Sequence, residues 1–518
     1  RDLHRLIRRQ RQMCIRDSSW VRQPSVRARC NRLRARWKIG PRLHRAIYLF
    51  PVMRPQTPIR TRPSAILINP WIHDFAAYDL WSKPLGLLYL AGHLRARGFQ
   101  VRILDCLDVH HPALRNQKSS KKLLRRAYGT GKFFRERIDP PPALAHVGRS
   151  YHRYGMPPPV FLETLGGMKR PDVILVTSLM TYWYPGVREA VRLARTAHPG
   201  VPILLGGLYT RLCPEHAALT SGADRVVPEP GFSRLPQIFS ALGVPTGSPP
   251  PPGTPILPAY DLLQGLDYVC LLTSTGCPLR CRYCAGPYLN PRLEQRSPAD
   301  VVDEILHWHI RFGVRDFAFY DDALLVGHDS HLAPILRRLI DEDLSLRFHT
   351  PNALHIKEIR PGIAGLMFRA GFRTLRLGLE TSDPALHRRM GGKVNPGDFE
   401  RALDILEDAG FMRSEIGAYI LTGLPGQSAA SVHETLDLVE AAGASPYLSE
   451  YSPIPHTSLW AQALESSRYN LAEEPLYHNN TLLPCWDGDD LRAFTTLKQR
   501  VREIRRKHRS PAPVPLHA

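Results

Sequence analysis

The sequence predicts an α/β protein made of two parallel-sheet units and a helical C-terminal segment. Three observations lead there. From residue 64, short continuous apolar runs alternate with amphipathic stretches. A proline-rich run, GVPTGSPPPPGTP at 243–255, divides this alternation into two series. The second series counts six strand–helix repeats. Continuous apolar runs read as strands buried on both faces, and their alternation with helices calls for parallel sheets.

The first series assigns residues 63–242 to a doubly wound, Rossmann-like sheet. Its strands are AILIN (65–69), VRILD (101–105), VILVTS (173–178), PILLGG (202–207) and DRVV (224–227). Helices are expected at PLGLLYLAGHLRARG (84–98), closed by Gly98, near 185–197 and near 214–221. Residues 115–155 form a basic insert with Tyr128, Phe133, Phe134, Tyr151 and Tyr154 interleaved. It is read as a solvated helical excursion, with contact to an anionic substrate or partner as the alternative. Residues 243–262 read as a linker, because a Pro/Gly/Ser run continues neither a helix nor a central strand.

The second series assigns residues 263–460 to a partial (β/α)6 TIM-type barrel. Its strands are YVCLLT (268–273), DFAFYDD (316–322), LRFHTPN (346–352), TLRLGLE (374–380), EIGAYILTG (415–423) and YLSEYSP (447–453). The first helix opens at Ser297-Pro298-Ala299-Asp300, with Ser as N-cap and Pro at the first helical position. Residues 461–518 are expected to be mainly helical. The basic stretch LKQRVREIRRKHR (497–509) reads as a solvated helix face.

Composition excludes several classes. With 43% apolar and 22% charged residues the chain is of ordinary globular type. No apolar run reaches the roughly 18 to 20 residues of a membrane-spanning helix, and no signal peptide is expected. Nine cysteines, three of them in one loop, do not resemble a secreted disulfide framework, so a reducing cytoplasm is expected. The net charge of +22 resides in residues 1–63 (+16) and 115–153 (+9), leaving −3 for the rest. That distribution argues against a nucleic-acid site. Residues 1–62 are read as a disordered basic extension, artefactual in part. Residues 13–18, MCIRDS, match a translated sequencing adapter.

The chemistry concentrates in TSTGCPLRCRYCAG (273–286), where Cys277, Cys281 and Cys284 are spaced C-x3-C-x2-C. The loop follows the first strand of the second series, and active-site residues of parallel barrels sit at strand C-termini. Asp321 and Asp322, Asn352, Glu380 with Ser382, GLPG (423–426) and Pro453 to His456 end the other strands. A structural zinc site takes four ligands, usually in two pairs. Cys270, the nearest further cysteine, reads as a core residue. Three thiolates suit a 4Fe–4S cluster with one iron left open.

The motif, with Tyr283 before its last cysteine, resembles the signature of the radical S-adenosylmethionine (SAM) superfamily, over about residues 263–460. The resemblance implies that Cys277, Cys281 and Cys284 each hold one iron, and that SAM chelates the fourth. It implies reductive SAM cleavage to a 5′-deoxyadenosyl radical, fed by an external electron donor such as flavodoxin or ferredoxin. It further implies that Asp321 and Asp322 lie near the SAM amino group, Glu380 and Ser382 near its ribose or carboxylate, and Gly423 to Gly426 near adenine.

Residues 64–242 resemble the cobalamin (vitamin B12)-binding domain that precedes many radical SAM domains. Gly206 and Gly207 end a strand where a corrin could approach. The cobalt-ligating D-x-H-x-x-G of such domains has an imperfect counterpart in Asp108-Val109-His110-His111-Pro112-Ala113, after the second strand rather than the first. His73 follows the first strand without that motif. The resemblance implies a radical SAM enzyme acting on a small-molecule or natural-product substrate. Cobalamin-dependent methyl transfer to carbon or phosphorus is the leading chemistry. Cobalamin-independent rearrangement or cyclisation is the alternative, and a non-catalytic iron–sulfur or cobalamin-binding protein is the rival class. Methylthiolation of tRNA is disfavoured, because only Cys106 and Cys213 lie between 64 and 242.

Overall fold

Ser64–Asn69 (β1) is flanked on both sides by parallel strands, Gln100–Asp105 (β2) and Val173–Val176 (β3). This computed structural model describes residues 62–508 apart from 116–122 and 124; the basic extension expected at 1–62 lies, but for Arg62, outside the described residues. Ile203–Leu205 (β4) and Arg225–Val226 (β5) complete a five-stranded parallel sheet in the order β2-β1-β3-β4-β5. The alternation of side chains explains why these runs are wholly apolar. Ile66, Ile68, Ile174 and Val176 enter the core on one face, and Ala65, Leu67, Val173 and Leu175 that on the other. The strand order reverses between β1 and β3, the place where ligands of such sheets bind at the C-terminal edge.

Helix Leu85–Ala96 follows β1 and ends before Gly98, whose φ of +89° suits glycine. The expected linker lies along this helix. The Ala259 N–H donates to the Leu88 carbonyl at 3.0 Å and Ser248 N–H to the Arg97 carbonyl at 3.0 Å. Leu257 approaches so closely that a Cβ on Gly92 would stand 2.1 Å from its carbonyl oxygen.

The basic insert departs from expectation. In place of a helical excursion, Tyr151–Tyr154 pairs antiparallel with Ile72–Asp74 on one side and with Arg135–Ile138 on the other, as the middle of a three-stranded sheet. Burial of its aromatics decides this. Tyr151 and Tyr154 are 2% and 3% exposed, and their hydroxyls donate to the carbonyls of His73 and Phe75.

The second unit places its strands in chain order. Val269–Leu271 (β6), Asp316–Phe319 (β7), Arg347–His349 (β8) and Phe372–Thr374 (β9) form one parallel set. Arg376–Glu380 (β10), Gly417–Thr422 (β11) and Ser445–Glu450 (β12) form another. A bridge between Leu354 and Leu377 joins them, so the six repeats curve into an open barrel. The first barrel helix, Pro298–Phe312, begins after Ser297 with Pro at its first position, although the serine side chain makes no capping hydrogen bond.

A strap at 467–487 leads to the last helix, Gly488–Lys507, which buries Leu497, Val501 and Ile504 against the barrel. The strap reaches back to the N-terminal sheet. Asn479 Nδ2 donates to Asp74 Oδ1 at 2.9 Å, and Thr181 Oγ1 lies 2.9 Å from His478 Nδ1. Among the described residues no helix is long and apolar enough to cross a membrane.

Candidate cofactor site

The cysteine loop is a closed excursion. Ser274–Thr275 pairs antiparallel with Glu294–Gln295 at its neck. Gly276 at the entry has φ +79°, and a Cβ there would stand 2.0 Å from the Arg292 carbonyl oxygen, so only glycine closes the neck. Within the loop Cys277 and Cys281 are partly exposed and Cys284 is exposed. The Gly286 N–H points at Cys284 Sγ at 3.3 Å.

Charge around the thiols is mixed. Burial pushes all three thiols above the usual range. The Asp322 carboxylate pushes Cys277 and Cys284 further up, and the Lys393 ammonium opposes the rise at all three. Burial disfavours the Lys393 ammonium, but the Glu380 carboxylate, then Cys281 and Cys284, raise its pKa overall. Lys393 and Glu380 form an ion pair with side chains only 9% and 8% exposed, and the Tyr283 hydroxyl donates to the same Glu380 Oε1. Glu380 itself has φ +73° at a bulge in β10, a conformation costly for a non-glycine residue. A Cβ on Gly378 would stand 2.8 Å from Lys393 Nζ, so the glycine makes room for the ammonium.

Other expected residues take different places. Asp321 is 2% exposed and turned toward the end of β6. It accepts from Thr273 Oγ1 at 2.7 Å and from the Ser274 N–H and Oγ at 2.6 Å each, so it braces the approach to the cysteine loop. Asp322 is exposed at the rim. Ser382 is engaged with Thr435, its N–H and Oγ each 3.0 Å from Thr435 Oγ1. In GLPG, Gly423 and Gly426 adopt φ +92° and +68°, and Gln427 Oε1 accepts from the N–H groups of Gly423 and Leu424. A Cβ on Gly423 would stand 2.8 Å from Leu483 Cδ2, which brings the strap over this turn.

Sequence reasoning missed Lys393 and His355. His355 Nε2 lies 3.9 Å from Cys277 Sγ, and burial lowers its pKa to about 4. The basic residue in GGK (391–393) was a faint signal. What places it is Gly391, whose Cβ would stand 3.2 Å from Cys281 Cα.

The cysteine loop also touches the N-terminal sheet. Arg211, just beyond β4, donates to the Leu289 carbonyl, and Tyr288 donates back to the Arg211 carbonyl at 3.3 Å. His456 stacks on Tyr288 and lies 3.2 Å from the Leu212 carbonyl. The histidines weighed for cobalt are committed elsewhere. His73 Nε2 lies 3.0 Å from Glu189, and burial lowers its pKa. His110 Nε2 lies 2.8 Å from Asp267 Oδ2.

The donor set fits an iron–sulfur cube. Among the described residues no three His, Cys, Asp or Glu side chains gather to hold a single ion. A cube takes one thiolate per iron and needs no such convergence.

Residues 271–439 match the Radical SAM superfamily, and residues 161–238 match the B12 binding domain. The chain carries a radical SAM domain and a B12-binding domain. The enzyme is 22% identical over 57% of its length to an uncharacterized methyltransferase of Pyrococcus horikoshii, spanning 70% of that protein. It is 23% identical over 43% of its length to the cytidylyl-2-hydroxyethylphosphonate methyltransferase of Streptomyces wedmorensis, spanning 43% of it. Its fold is similar to that of the radical SAM methyltransferase TsrM from Kitasatospora setae, solved with cobalamin and a [4Fe-4S] cluster. The TM-score is 0.57, the identity 18%, and 78% of each chain is covered.

Proposed function

We propose that the enzyme transfers a methyl group to a carbon or phosphorus centre of a small molecule, using SAM, a 4Fe–4S cluster and cobalamin. The observation that carries this reading is the seam at Arg211, Tyr288 and His456. There the cysteine loop and the C-terminal edge of the Rossmann-like sheet meet directly. Two cofactor edges facing one another suit a reaction in which one activates the substrate and the other supplies the group.

Cys277, Cys281 and Cys284 hold the cluster in this reading. When bound, the cluster and cobalamin supply the electron that cleaves the SAM sulfonium and the methyl group that is transferred. The chain's part is positional. Lys393 and Glu380 present a paired charge beside the loop, matched to the carboxylate, amine and ribose hydroxyls of SAM. Asp322 offers a second acid at the rim, and Asp321 holds the loop's entry. The turn at Gly423–Gly426 gives backbone access for adenine, and Ser382 acts through Thr435. His73 and His110 are paired within the protein, so cobalamin is held without either as a cobalt ligand. A low-potential protein donor and a reducing cytoplasm complete the setting.

The test is anaerobic reconstitution with iron, sulfide and hydroxocobalamin, followed by metal counts and turnover of deuteromethyl-labelled SAM. The expected result is about four irons per chain, stoichiometric cobalt and 5′-deoxyadenosine on reduction. Irons without cobalt would redirect the reading to a rearrangement or cyclisation. A protein that takes zinc and never a cube would overturn it.

A further inference from the structure

The segments that frame the cysteine loop carry five arginines and one lysine and contain no acid of their own; among the described residues only Lys393 is ion-paired, with Glu380 outside them. Residues 277–293 contain Arg280, Arg282 and Arg292, and residues 384–397 contain Arg388, Arg389 and Lys393; neither contains Asp or Glu. Far apart in sequence, they touch in space. The Arg282 N–H donates to the Met390 carbonyl at 3.2 Å, and a Cβ on Gly391 would stand 3.5 Å from the Arg280 carbonyl oxygen. Arg280, Arg388 and Arg389 are exposed, and none forms an ion pair among the described residues.

Two half-buried arginines elsewhere show the contrast. Arg413 pairs with Asp404 and Glu407, and Arg500 with Asp437 and Glu440. Outside the two strongly basic segments the chain is slightly acidic, at −3. On that background two touching segments without an acid of their own, one of them carrying the exposed Cys284, concentrate positive charge. Arg282 is anchored by its bond to the Ser458 carbonyl at 3.2 Å and fixes the base of the patch.

We propose that the face formed by Arg280, Arg388 and Arg389 is the docking surface for a small acidic electron-carrier protein. The proposal rests on the reading that Cys277, Cys281 and Cys284 hold a 4Fe–4S cluster. In the step served, the carrier loses one electron and the cluster gains one; no bond is made or broken and no proton moves. Opposite charge steers such encounters and orients the partner, and salt screens them. A short cationic rim suits a protein with a compact acidic face better than nucleic acid, whose binding needs a longer basic track.

The test uses the reconstituted enzyme and its R388E/R389E variant, with reduced flavodoxin and reduced ferredoxin as probes. Carrier binding is measured directly by calorimetry, and 5′-deoxyadenosine formation is measured with each carrier and with dithionite. The expected result is carrier Kd weakened tenfold or more in the variant, a similar fall in carrier-driven turnover, and dithionite-driven turnover within twofold of the unaltered enzyme. Added salt should reduce the difference between the two proteins. Unchanged carrier binding in the variant would overturn the proposal. So would equal losses with carrier and dithionite, which would give the arginines a structural role. Absence of dithionite-driven SAM cleavage in the unaltered enzyme would instead overturn the cluster reading, and the binding arm would still judge the surface.

Discussion

The two cofactor-facing edges are built on opposite principles. The barrel rim gathers ionisable groups and leaves them poised: thiols shifted upward, a buried Lys393–Glu380 pair and a glutamate at φ +73°. The edge of the Rossmann-like sheet holds titratable groups too, and places several of them against partners within the protein. His73 is bound to Glu189, His110 to Asp267, and Asp74 to Trp183 and Asn479. The barrel edge presents three thiols beside a buried charge pair. The other edge uses polar groups to fasten the insert and the strap. A strained glutamate and a cluster of thiols mark the barrel rim; side chains bound to the insert and the strap mark the other, scaffold edge.

The contrast can be broken at several points. The largest effect is expected from replacing Cys277, Cys281 or Cys284 by Ala. Iron content and SAM cleavage should fall to the background of the metal-free protein, with the melting curve of that metal-free protein little changed. Next is Lys393→Met, which strands the Glu380 carboxylate in a buried setting. Breaking such a pair costs roughly 3–5 kcal/mol, visible in denaturant unfolding. The double variant Lys393→Met/Glu380→Gln should recover most of that stability without recovering SAM cleavage. Recovery of both would make the pair purely structural.

The scaffold edge makes a pH prediction. Burial lowers His478 to about 4 from an ordinary 6.5, so it is neutral in the folded protein. A histidine depressed in this way contributes stability that is present above pH 6.5 and lost as pH falls toward 4. The full loss is on the order of 3 kcal/mol. Unfolding measured from pH 7 to 5 should show the decline in the parent and a flatter profile in His478→Asn. The smallest effect is expected from His73→Gln and His110→Gln. Neither should alter the visible spectrum of bound cobalamin, because neither imidazole is free to reach cobalt. A spectral change in either variant would erase the distinction between the edges.

Legibility followed the range of the interactions. The strands of both units were readable because doubly buried strands must be continuously apolar, as VILV at 173–176 is. The cysteine loop was readable because its three donors lie within eight residues. The insert was misread, since its two strands pair with each other and the second, Tyr151–Tyr154, is tied to the fold by Ile72–Asp74, about 80 residues earlier in the chain. Asp321 and Asp322 are adjacent and chemically identical, yet one is sealed against Thr273 and Ser274 while the other stands at the rim.

The sequence by itself determined the alternation, the division into two parallel-sheet units and the thiolate trio, because each is encoded by neighbours along the chain. Tertiary structure alone decided that Lys393 faces Glu380, that His73 and His110 are spent on internal partners, and that the strap crosses from barrel to sheet. Those outcomes depend on which groups lose water together, and the partners range from 13 residues apart, for Lys393 and Glu380, to 405, for Asn479 and Asp74.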